Sequence, residues 1–61
     1  MEIRITWIDK NGAEHKQDYL ILDAQNNVHA IYKAIEYCLD DFDKDGKQIE
    51  KTVESIEVIG Y

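Results

Sequence analysis

The sequence predicts a small α+β domain of ββαβ order, with a three-stranded antiparallel sheet (strand order 2-1-3) and one helix packed on one face. Three observations carry that reading. Residues 2–8 alternate polar and apolar side chains, an Asp-Lys-Asn-Gly turn follows at once, and apolar residues from Val28 to Phe42 recur at spacings of three and four.

Glu2–Ile8 is rich in β-formers and reads as the first strand. Asp9–Gly12 turns the chain, and a second strand from about Ala13 to Leu22 completes a hairpin. A three-residue loop with a glycine bulge at Gly12 sets Arg4 opposite Asp18 and Ile3 opposite Tyr19. A two-residue Asn11-Gly12 loop would set Ile5 opposite Asp18. The first register is preferred, because it gives an apolar face of Ile3, Ile5, Trp7, Tyr19 and Ile21 and pairs opposite charges across the strands.

Asp23–Asn27 is a loop whose asparagines suit a helix N-cap. The helix then runs from Val28 to about Asp43 or Lys44, before Gly46, with a core stripe of Val28, Ile31, Tyr32, Ile35, Cys38, Leu39 and Phe42. A third strand covers roughly Thr52 to Ile59. A right-handed crossover from the second strand to the third places the first strand in the centre.

With 61 residues, one cysteine and no proline, the chain is one domain with no internal disulfide and no cysteine-rich zinc site. It has no long apolar run and no signal-peptide pattern, so a cytoplasmic protein is expected. Thirteen acids against seven bases give a net charge of −6, and residues 36–61 carry −5 of it. Phosphate backbones and anionic lipids require cations, so the expectation is no direct nucleic-acid or membrane binding and instead a basic protein partner.

Asp41, Asp43 and Asp45 followed by Gly46 match the first half of a calcium loop, but Thr52 stands where the bidentate glutamate belongs. They form a weak calcium candidate, and no other metal or cofactor is expected. His15 and His29 lack a second ligand at metal spacing, and Cys38 reads as a buried structural thiol. No phosphate loop or nucleophile–base set is present, so an enzyme is not expected.

Two surfaces stand out. Glu36, Tyr37, Asp40, Asp41, Asp43 and Asp45 form a candidate partner-binding patch, with acids at Glu36, Asp40 and Asp43 recurring along the helix like a phosphate row. Tyr37 points away from the core stripe, alongside Ala30, as a contact anchor. Val53, Ile59, Tyr61, Leu20 and Leu22, with Ile8, are expected on the open sheet face as a dimer or docking surface, while Ile56 and Val58 face the helix. Two functional readings follow. The first is an acidic inhibitor that mimics DNA and blocks a basic nucleic-acid-handling partner. In size, acidity and lack of catalytic residues it is similar to phage-encoded inhibitors of host defence or repair, such as anti-CRISPR proteins, although no motif is shared. The alternative is a homodimeric structural or assembly module docking through its sheet face and third strand.

Overall fold

The computed structural model describes all 61 residues. Its elements are β1 (Glu2–Asp9), β2 (Glu14–Leu20), α1 (Asn27–Leu39) and β3 (Lys51–Gly60). They form an antiparallel sheet in the order β2-β1-β3, with α1 on one face, as the sequence predicts. No helix is long and apolar enough to cross a membrane.

The hairpin adopts the preferred register: Arg4 faces Asp18, Ile3 faces Tyr19 and Trp7 faces His15. Its turn is closed by Asp9 N–H donating to Ala13 O (2.9 Å) and Gly12 N–H donating to Asp9 O (3.0 Å). Gly12 has φ of 83°, which a side chain would strain. After β2, Ile21 donates to the Met1 carbonyl and is buried, so the apolar face continues past the last ladder pair.

The core is Ile3, Ile5, Trp7 and Ile21 under Ala30, Ala34 and Cys38. This differs from the expected helical stripe. The helix is turned so that its small residues meet the large side chains of β1, which lets helix and sheet approach closely. Ile31 and Ile35 pack at the edge of the core, whereas Val28 and Tyr32 stay 60% and 63% exposed. Ala30, expected outside beside Tyr37, is fully buried.

The helix also ends early. Asp40 is its C-cap, with ψ of 66°, so Asp41–Asp45 are not helical. Its last turn holds no basic residue, and the missing cation arrives from far downstream: Lys51 Nζ donates to Cys38 O at 2.7 Å, and Gln48 Nε2 to Leu39 O at 2.8 Å.

β3 corrects a second expectation. Its pairing with β1 slips twice, leaving Glu54 and Ile59 without partners as bulges. The first slip flips the parity, so Val53 joins Ile56 and Val58 on the helix side and packs against the core instead of lying on the open face. The open face is polar: Glu2, Arg4, Thr6 and Ile8 of β1 lie between Leu20, Asp18, Lys16 and Glu14 of β2 and Glu57, Ser55 and Thr52 of β3. Leu22 and Tyr61, which are 83% and 93% exposed, lie beyond the strands. Of the apolar open face expected from Val53, Ile59, Tyr61, Leu20 and Leu22, Leu20 lies on that face with Ile8, Val53 does not, and no continuous apolar surface forms.

Candidate interaction surface

Charge placement follows from which side chains find partners. Arg4 Nε meets Asp18 at 2.8 Å, His15 meets Asp9 at 2.9 Å, Lys33 meets Asp23 at 2.6 Å and Lys51 meets Asp41 at 2.8 Å. Hydrogen bonds from those partners hold the Asp9, Asp18 and Asp23 carboxyls below their ordinary range; at Asp9 the backbone N–H groups of Ala13 and Asn11 add to the effect of His15. Before residue 36, Glu2 and Glu14 have no partner, against Lys10 and Lys16, and Asp9 is held by His15, which carries no charge in the formal count. From residue 36 onward, seven acids remain (Glu36, Asp40, Asp43, Asp45, Glu50, Glu54 and Glu57) against Lys44 and Lys47. The first part of the chain thus keeps a net charge of only −1, and the second part carries −5.

The six candidate residues do not act as one row. Glu36 and Asp40 share the outer surface of α1, at about 100° per residue, with Lys33 beside Asp40 and Tyr37 set between Lys33 and the buried Ala30. Tyr37 is 52% exposed, on the flank of the buried face. Asp45 stands at the tip of the following loop. Asp41 is held by Lys51, and Asp43 is turned inward on its own loop, accepting from the N–H groups of Asp45 (2.8 Å) and Lys47 (3.0 Å). Because the helix stops at Leu39, the phosphate-like spacing does not extend past Asp40.

The loop aspartates that resemble half a calcium site build a turn instead. Asp43-Lys44-Asp45-Gly46 repeats the chemistry of Asp9-Lys10-Asn11-Gly12 almost bond for bond. In both, the first aspartate accepts from N–H groups two and four residues on, its own N–H donates to the carbonyl four residues on, and the glycine has positive φ (83° and 79°). Asp41, Asp43 and Asp45 are not brought together, and no three His, Cys, Asp or Glu side chains converge on a point a metal could occupy. The signal was present in the sequence as an Asp-Lys-Asx-Gly motif occurring twice.

Lys51, which the sequence reading passed over, holds this end together with Trp7 and His15. The Lys51 side chain is only 1% exposed, with Nζ 4.4 Å from the Trp7 ring centroid on the β3 side. His15 stacks on Trp7 from the β2 side at 4.2 Å. The Trp7 Nε1–H is buried without an acceptor, at a cost of roughly 1–3 kcal/mol. Cys38 is fully buried, and His29 is engaged at the helix start, where its Nδ1 accepts from Gln25 N–H.

No known protein family matches this chain, and neither the characterised proteins nor the solved structures compared with it gave a match.

Proposed function

We propose that this is a small acidic, non-enzymatic interaction protein that occupies the nucleic-acid-binding surface of a basic partner and so inhibits it. One observation carries the reading: seven carboxylates from Glu36 to Glu57 have no ion pair, against two such lysines, while the rest of the chain carries only −1. A local surplus of that size creates a negative potential that speeds encounter with a basic surface and repels nucleic acid. Glu36, Tyr37, Asp40 and Asp45 are the contact residues on this reading, with Tyr37 as the aromatic anchor. Asp41 and Asp43 act indirectly, by fixing the loop that carries Asp45.

Tagged protein would capture its partner from the source cell, and duplex DNA would then be titrated against the complex. DNA should displace the partner, rising salt should weaken the complex, and the E36K/D40K/D45K variant should lose it. An affinity indifferent to salt and DNA would overturn the reading.

A further inference from the structure

We infer that the outer edge of β3, with the helix flank above it, is the interface for a second copy of this chain, giving a two-fold dimer with a continuous six-stranded sheet. The two flanks of α1 differ. Lys33 reaches back to Asp23, just after β2, so the Lys33–Tyr37 flank lies over β2. The opposite flank, with Ile31, Ile35 and Val28, therefore overhangs β3, and Tyr32 and Leu39 stand above it toward solvent. Beneath it, Val53, Ile56 and Val58 face the helix side and are only half-buried. An apolar surface thus runs down to a strand edge whose outward N–H and C=O groups have no partner strand.

A second copy is the occupant that both features fit. The outward N–H and C=O groups of an edge strand can be met by another strand, and the same edge turned about a two-fold axis supplies one. An axis normal to the sheet keeps both helices on one side and antiparallel, so the Val28 end of one flank faces the Leu39 end of the other. Register follows from charge. Pairing centred on Glu57 would set that carboxylate against its own copy. Pairing centred on Ile56 sets Ile56 against Ile56 below the helices and Glu57 against Ser55 on the open face, so the regular pairing covers Ser55–Glu57 and Val58 falls opposite the bulged Glu54.

The dimensions agree. The molecule measures 34 × 21 × 14 Å, so its whole long flank would contribute at most about 500–700 Å² per copy and about 1,000–1,400 Å² per dimer, against the roughly 1,000 Å² a specific interface needs. The monomer is also under-buried. Its radius of gyration is 12.0 Å against about 10.5 Å for a compact domain of this length, and its surface is 4435 Å² against about 4,100 Å².

Sedimentation equilibrium of the full chain over a wide concentration range tests the inference. The molar mass should rise from 7.1 kDa to twice that value. Because each copy carries −6, added salt should tighten the dimer, the opposite of its effect on a basic partner. Y32E and V28E alter exposed side chains; each should weaken the dimer by about tenfold or more while the circular dichroism stays native. A chain of monomer mass at the highest concentration, with native circular dichroism, would overturn the inference. So would a dimer that both variants leave intact. If one variant fails to fold, the other decides.

Discussion

The two edges of this sheet are built by different rules. β2 has seven residues, nearly all exposed and polar, including Glu14, Lys16 and Asp18, and the helix flank above it carries Lys33 and Tyr37. Charged side chains along an edge discourage further strands, so β2 is a finished edge. β3 has ten residues, half-buried apolar groups toward the helix and an apolar flank overhead. It is held by Lys51 at one end and interrupted by bulges near both ends, yet it stays regular through Ser55–Val58. The lesson is that exposure alone does not mark a binding edge; apolar continuity between strand and helix does.

The largest effect that would sharpen this contrast is expected at the root of β3. Lys51→Ala strips the Cys38 carbonyl and Asp41 of their partner and removes the cation from Trp7. A loss of about 2–3 kcal/mol is expected, a large share of what so short a chain has, and chemical denaturation would read it. A smaller loss, about 1 kcal/mol, is expected from Asp43→Ala, which leaves two loop N–H groups without an acceptor; calcium should not alter the melting temperature of either form. The smallest effect belongs to β2. Asp18→Asn removes an exposed pair with Arg4, and its shift in melting temperature should be visible at low salt and vanish at high salt.

Acid should act through the same exposed pairs. Asp9, Asp18 and Asp23 titrate below their ordinary value of 3.8 in the folded chain. Their contribution is therefore complete above that value and is lost as pH falls through the lowered folded values. An acid titration followed by circular dichroism should show a shallower loss below pH 3.8 for Asp18→Asn than for the parent.

The hairpin was legible because its register is written twice, in the Asp-Lys-Asn-Gly turn and in the Arg4–Asp18 pair. The helix end was not, because the groups that cap it, Gln48 and Lys51, lie beyond the loop and cannot be read from local periodicity. Periodicity located an apolar sector on α1 but not which border of it docks; that was decided by the fit of Ala30, Ala34 and Cys38 against Ile3, Ile5 and Trp7. Val53 was misplaced because one bulged residue reverses the alternation on which the reading rests. For the candidate surface, the position of the acidic surplus was legible. The internal use of Asp41 and Asp43 was not legible for Asp41, whose partner is remote, but was for Asp43, whose turn motif appears earlier in the chain.

The difference between the two edges can be measured directly by amide hydrogen exchange at low and high protein concentration. The account expects the exchange of outward-facing β3 amides between Ser55 and Val58 to slow as concentration rises, while the outer amides of β2 exchange at the same rate throughout. Equal slowing at both edges, or none at β3, would contradict it.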